Sequence, residues 1–325
     1  MTVLSYNGGK RIIPTLESCK LQTHKDKELI ISDDASPDGI TPKIIEDWLS
    51  ENEHFFKKVV FIKNQVNTGI AKNSRNAAIH ATGVIIFPIG QGDLIYGPET
   101  IERISHEIEK QRLEGLREPY LWLGHFQSFV MKNGTKANHH FPMSTKKDFD
   151  LIEGYPDKFL RKMLRKNFIG APSFIYNAKY FDDDIFPLPE IIRHIDDYPC
   201  TLWNLINKHR IGIIRQFIRW YEFGIGMSRN PDSKYKKEKE TIFQWLDNLF
   251  PDIEIKKRQD YKFNCKNHWQ RMTRHPLIFT SDALEYIAWE FTEALSLTQR
   301  WPVKVEKESS LPFDEKIFSS QYYPE

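Results

Sequence analysis

Short apolar runs alternate with helically spaced apolar positions through the first third of the chain. Val3-Leu4-Ser5-Tyr6 reads as a strand, and residues 11–22 place Ile12, Leu16 and Cys19 on one helical face. Residues 28–32 (ELIIS), 58–64 (KVVFIKN) and 83–89 (GVIIFPI) read as further strands. Residues 41–52, 69–82 and 97–115 read as the helices between and after them, the last with Pro98 near its start. Strand and helix in alternation predict an α/β fold: a mostly parallel central sheet, Rossmann-like, with helices on both faces. In such sheets ligands bind beyond the carboxyl ends of the strands. Asp33-Asp34 lies at one such end and Gly90-Gln91-Gly92-Asp93 at another. Carboxylates closing a hydrophobic strand are costly without a partner, so these acids are expected to line a shared crevice.

The middle of the chain is less regular. Residues 120–130 read as a strand, 157–167 as a basic amphipathic helix, and 171–177 as a short strand. Residues 196–209 read as a helix opened by two acids, and 210–223 as a pair of strands. The polar run at 228–240 reads as a boundary, which divides the chain into residues 1–230 and a mainly helical extension, 231–325. In that extension Leu284, Ile287, Ala288, Phe291 and Leu295 make an apolar stripe, with Ser281 or Asp282 as cap.

Composition narrows the classes. The chain has 325 residues, of which 40% are apolar and 28% charged, with a net charge of +2. This balance lacks the basic excess of a dedicated nucleic-acid binder. Cys19, Cys200 and Cys265 show no metal-binding or redox spacing and read as reduced thiols. No apolar run is long enough to span a bilayer, and the N-terminus does not read as a signal peptide, so the expected location is cytoplasmic.

Three segments carry a resemblance. Residues 5–39 (SYNGGKRIIPTLESCKLQTHKDKELIISDDASPDG), 67–93 (NTGIAKNSRNAAIHATGVIIFPIGQGD) and 194–212 (HIDDYPCTLWNLINKHRIG) resemble the nucleotide-sugar glycosyltransferases of family 2, which have the A-type glycosyltransferase fold. The likeness covers about residues 1–230 and departs from the family twice. The family's longer apolar first strand is either short here or truncated at its start, and the family's Asp-x-Asp metal motif is reduced to Gly90-Gln91-Gly92-Asp93, of which only the last acid remains.

The resemblance implies inverting transfer of a hexose or N-acetylhexosamine from a UDP-sugar to a hydroxyl of a glycan or lipid-linked glycan. Surface polysaccharide, lipopolysaccharide or capsule synthesis would be the setting. It implies that Asp34 accepts the N3–H of uracil, as an acceptor-only carboxylate can, and that Tyr6 flanks the base. Asp33 is equally readable as a turn former. Arg75 would face the diphosphate and Gln91 a sugar hydroxyl, while Gly90 and Gly92 would let the backbone approach the sugar. Asp93 would hold Mn²⁺ or Mg²⁺, hard cations suited to oxygen ligands. Asp197 would be the base, with Asp196 beside it. Glu222 and Arg229, near the segment GIGMSRN, are further candidates for the metal and the phosphates. A lipid-linked acceptor would bring the chain to the inner face of the plasma membrane. The C-terminal stripe would serve packing on the catalytic domain or homo-oligomerisation.

Two other classes compete. A non-catalytic relative would bind nucleotide sugar without turnover. A sugar nucleotidyltransferase would want a Gly-rich basic signature, of which Asn7-Gly8-Gly9-Lys10-Arg11 is a faint echo. His139-His140 lacks a third metal ligand at useful spacing. No nucleophile elbow and no phosphate loop is present.

Overall fold

The structure is a computed structural model. It describes residues 1–132, 135–139, 146–165, 167, 169–181, 192–225, 233–249, 265, 267–280, 283–284 and 317. Two sheets form the body. The first is parallel and four-stranded, ordered β3 (Lys58–Lys63), β2 (Glu28–Asp33), β1 (Thr2–Ser5), β5 (Pro88–Gly90). Its register pairs Ser5 with Asp33, Asp33 with Lys63, and Leu4 with Gly90. The predicted strand ends therefore share one carboxyl edge.

The second sheet is mixed, ordered β4 (Ile85–Ile86), β9 (Phe174–Asn177), β7 (Leu121–Lys132), β10 (Ile211–Glu222), β6 (Leu94–Ile95), with β8 (Thr135–His139) paired to β7. Two sequence expectations change here. Residues 83–89 form two short strands in different sheets, β4 and β5; Pro88, which has no N–H to give a ladder, begins the second. Residues 210–223 form the single long strand β10, not a pair; its polar residues fall at register shifts around Phe217, where the strand bends without turning back.

The helices α1 (Ile12–Lys20), α2 (Thr41–Asn52), α3 (Ile70–Ala78) and α4 (Thr100–Leu113) lie where the apolar spacing placed them. Side chains alternate between two cores, as period-two strands require. Leu29, Ile31, Trp122, Ile214 and Ile218 face one core, shared with Leu16 of α1 and Ile104 of α4. Leu121, Leu123, Ile211 and Ile213 face the other. That second core also takes Phe149 of α5 (Lys146–Gly154), Phe159 and Met163 of α6 (Pro156–Arg165), and Tyr198 and Leu202 of α7 (Asp197–Ile206).

The polar run read as a boundary opens α8 (Ser233–Leu249). Its Ile242 and Leu246 are buried in the second core, so the helix is amphipathic and not a linker. A short helix α9 (His268–Arg274) follows. Leu284 is exposed; Ser281, Asp282 and the rest of the C-terminal stripe lie outside the described residues, as do Arg229 and His140.

Candidate active site

The carboxyl edge of the first sheet is built from the ends of β1, β2 and β5. Asp33 is buried and accepts from the Ser36 N–H (2.9 Å) and hydroxyl (2.5 Å), which makes it a turn former. Ser36 in turn accepts from the Asn7 N–H at 2.7 Å. This knot carries Asn7 and Ala35 in left-handed conformations, with φ of 52° and 60°. The chain thereby turns sharply after both strands.

Asp34 is also buried and organises the loop before α3. Its Oδ1 accepts from the Asn64 amide (3.0 Å) and from the Thr68 N–H and hydroxyl (both 2.8 Å). Its Oδ2 accepts only from the Gly69 N–H (2.7 Å) among these. A carboxylate oxygen has room for two such bonds, so Oδ2 retains acceptor capacity. Gly69 has φ of 87°, and a β-carbon there would press on the Arg193 carbonyl at 2.7 Å. Buried Asn73 of α3 joins this network through Ser32 and Asn64.

Gln91 acts as a staple within the fold. Its Oε1 accepts from the Ser5 hydroxyl (3.1 Å) and the Tyr6 N–H (2.9 Å), and its Nε2 donates to the Tyr6 carbonyl (2.7 Å). The expected sugar contact thus meets a side chain whose oxygen is already used. Tyr6, with its backbone held this way, keeps its ring half exposed at the edge. Arg75 lies half-buried on α3.

Gly92 departs from expectation. It has φ of 88°, and the space a β-carbon would fill is taken by the Glu222 carboxylate from the end of β10. A side chain of the chain itself, and not open room for a sugar, explains the glycine. Asp93, one residue on, accepts the Glu222 N–H on Oδ1 at 2.9 Å. Both carboxylates are buried, and the charge of Asp93 bears on Glu222. Glu222 also pairs with the Arg11 guanidinium just before α1.

Burial pushes the Asp93 carboxyl up to about 7, against the pull of Arg219 and Arg11. Burial likewise pushes Glu222 up to about 7, with Arg11 opposing and Asp93 adding to the rise. Two buried acids that hold protons this tightly are under-compensated in charge. Magnesium sites commonly use one or two carboxylates and complete their shell with water and substrate phosphates. The pair fits that pattern, although among the described residues no three His, Cys, Asp or Glu side chains cluster.

The acidic pair Asp196-Asp197 opens α7. Asp197 accepts from the Tyr198 N–H at 2.7 Å, with the Ala171 N–H and the Asn167 side chain also near. Burial raises both carboxyls, and for Asp196 the adjacent charge of Asp197 adds to the rise. The preceding residues tie this segment to the loop that Asp34 holds. Arg193 donates through Nε to the Thr68 carbonyl (3.3 Å) and through its terminal nitrogen to the Asn67 side chain (3.0 Å), and its carbonyl accepts from the Ala71 N–H (3.0 Å).

Arg219 links the two acidic centres. It is buried against the Phe87 ring and donates to the Pro88 carbonyl. Its charge bears on Asp93 and on the buried Tyr176 hydroxyl, and Tyr176 in turn feels Asp196 and Asp197. Burial lowers Arg219 to about 10, which leaves it cationic at neutral pH. Asp34, Asp93 and Asp197 were visible as motif residues. Arg193 and Arg219 were not, because lone arginines outside the matching segments carry no spacing signal, and Arg11, within the first segment, gave no sign that it would meet Glu222.

A parallel sheet with its acids on the carboxyl edge, continued by a mixed sheet that delivers a second carboxylate, defines an A-type glycosyltransferase fold. Residues 2–116 match the family model described as glycosyl transferase family 2. EpsE of Bacillus subtilis, itself described only provisionally as a glycosyltransferase, is 32% identical over 107 residues. That match covers 33% of this chain and 37% of EpsE. An uncharacterized glycosyltransferase of Methanocaldococcus jannaschii, MJ1057, is 24% identical over 74% of each chain. Among solved structures, residues 1–349 of S. aureus TarS in complex with UDP-GlcNAc superimpose with a TM-score of 0.56 at 18% identity. That superposition covers 84% of this chain and 78% of the other. A longer TarS chain gives 0.54, with 43% of its length covered. The chain thus spans less than half of the first of these relatives in each comparison.

Proposed function

We propose that the chain transfers a sugar from a UDP-sugar to a hydroxyl of a glycan, with inversion at the anomeric carbon. The observation that carries this reading is the paired acidic arrangement along one edge. Asp93 and Glu222 stand at one centre and Asp196-Asp197 at another, and the charge of buried Arg219 bears on Asp93 and on Tyr176, which feels Asp196 and Asp197. The TarS neighbour bound to UDP-GlcNAc supports a uridine donor.

In this reading the base packs by Tyr6, and its N3–H donates to the remaining capacity of Asp34 Oδ2. Arg11 and Arg75 approach the diphosphate. Asp93 and Glu222 would hold Mn²⁺ or Mg²⁺, which when bound offsets the charge of the departing diphosphate. Asp197 accepts the proton of the acceptor hydroxyl as that oxygen attacks the anomeric carbon and the bond to the diphosphate breaks. Arg193 and the 64–69 loop hold donor and base segments in one frame, which saves orientational entropy at attack. Gln91 contributes by fixing Tyr6. The acceptor is a surface-type glycan, free or on a lipid carrier. No helix among the described residues is long and apolar enough to cross a membrane, so a lipid-borne acceptor would be met at the bilayer surface.

The reading is tested by incubating the chain with a panel of UDP-sugars and GDP-mannose, with Mn²⁺, and measuring release of nucleoside diphosphate. Release of UDP from at least one sugar, lost in Asp197→Asn, supports it. Release from none, with UDP still bound, would replace it with a non-catalytic nucleotide-sugar binder.

A further inference from the structure

Helix α8 carries a buried acid that the proposed mechanism does not use. Glu238 sits in the run Lys234 to Glu240, whose composition reads as a solvated face. Yet Glu238 is only 3% exposed. Burying an ionised carboxylate is costly unless donors satisfy it. Here both donors come from one residue. Oε2 accepts the His194 backbone N–H at 2.9 Å, and Oε1 lies 2.6 Å from His194 Nδ1. The bond can form with Nδ1–H donating, the tautomer that suits an acceptor carboxylate. The grip is two-pronged, on backbone and ring together.

His194 lies three residues before Asp197. Its neighbour Arg193 is fastened on the other side to Asn67, Thr68 and Ala71. The short segment entering the base is thus gripped from two directions, by the donor-side loop and by α8. The same helix turns further groups toward the acids. Tyr235, Glu238 and Lys239 share one face by their three- and four-residue spacing. The Lys239 ammonium lies 5.0 Å over the Tyr235 ring, and the charge of Asp197 bears on both. The buried stripe of Ile242 and Leu246 one turn further on anchors the helix in the core.

We infer that Glu238 is a positioning residue for the acid that accepts the proton: through its two bonds to His194, α8 sets the place of Asp197. This rests on the function proposed above for Asp197. It also makes α8 part of the active unit, beyond the residue-230 division suggested by composition.

The test compares wild type, Glu238→Ala, Glu238→Gln and His194→Ala by two measurements on the full chain: hydrogen exchange over residues 193–198, and steady-state kinetics with calorimetric UDP affinity. In Glu238→Ala, exchange over 193–198 should rise while exchange in β1 and β2 stays unchanged. The turnover number should fall about 10- to 100-fold, the scale of a misplacement near one ångström, and UDP affinity should hold within about twofold, because no donor contact is touched. Glutamine can accept the N–H and donate to the other His194 tautomer. Glu238→Gln should therefore recover about tenfold of the lost turnover. His194→Ala, which keeps the backbone prong, should fall between the two and serves if Glu238→Ala does not fold. Unchanged exchange over 193–198 would overturn the inference. So would a loss of UDP affinity equal to the loss of turnover, which is the mark of general unfolding. If the wild type turns over no UDP-sugar, the functional reading fails, and the exchange comparison alone decides whether Glu238 holds the segment.

Discussion

The carboxylate of Glu222 occupies the space that a β-carbon on Gly92 would need, while the Glu222 backbone N–H donates to Asp93 at 2.9 Å. A strand end far along the chain thus places an acid beside Asp93, the one acid of residues 90–93. Gly92→Ala should cost about 1–3 kcal/mol from the positive φ together with displacement of Glu222. In a Glu222→Ala background the displacement no longer counts, and the added cost should fall to about 1 kcal/mol. Such non-additivity is expected of residues in contact. Denaturant melts of the four chains measure it; strict additivity would mean that Glu222 does not fill the site of the missing side chain.

The proton affinity of this pair gives a pH signature. Asp93 and Glu222 titrate near 7 in the folded chain and near 4 when unfolded. Between those values the folded chain keeps protons that the unfolded chain has released. The stability they contribute is full below about pH 4 and is lost as pH rises through about 7. Asp93→Asn removes one such group and still offers an oxygen to the Glu222 N–H. In chelator-containing buffer the variant should match wild type below about pH 4 and gain on it progressively as pH rises through about 7, by up to about 4 kcal/mol at pH 8. Thermal melts across that range check the sign.

Asp197→Asn keeps the size and the Tyr198 hydrogen bond but cannot take a proton. Turnover should fall about 10²- to 10⁴-fold, the usual worth of a general base, with UDP affinity unchanged. Rapid-quench kinetics beside calorimetry separate the two quantities. An equal fall in both would place Asp197 in donor binding.

What the sequence revealed follows from which interactions are local. Period-two and helical spacing marked β1, β2, β3 and α1 to α4 because each buries a face of regular period. The acids at 33–34 stood out because they close an apolar run, and those at 93 and 196–197 because the segments around them resemble family motifs. What stayed hidden is long-range. Glu222 meets Gly92 across 130 positions, and a glycine in a degraded motif gives no sign of what fills its space. Residues 210–223 looked like two strands because polar residues interrupt the run, and only the register shifts at Phe217 show how β10 absorbs them. The charged run before Thr241 read as a boundary and a solvated helix because buried Glu238 is indistinguishable by composition from the charged residues around it.

Asp34 ties the 64–69 loop to β2 and keeps acceptor capacity on one oxygen. Asp34→Asn turns an amide toward N–H groups that need an acceptor. Leaving a buried donor unmet costs about 1–3 kcal/mol. The variant should therefore melt lower and bind UDP at least about tenfold more weakly, an affinity change of about 1.4 kcal/mol. A stable variant with full affinity would show that the base reads the site elsewhere.

The most direct test of the central claim, a uridine-diphosphate site centred on Asp93 and Glu222, is calorimetric titration of UDP, with GDP as control. It is run with and without Mn²⁺ on wild type, Asp93→Asn and Glu222→Gln. The account predicts binding that prefers UDP, strengthens with Mn²⁺ in wild type, and loses that metal-dependent gain in both variants. UDP binding that is indifferent to Mn²⁺ and to both substitutions would contradict it.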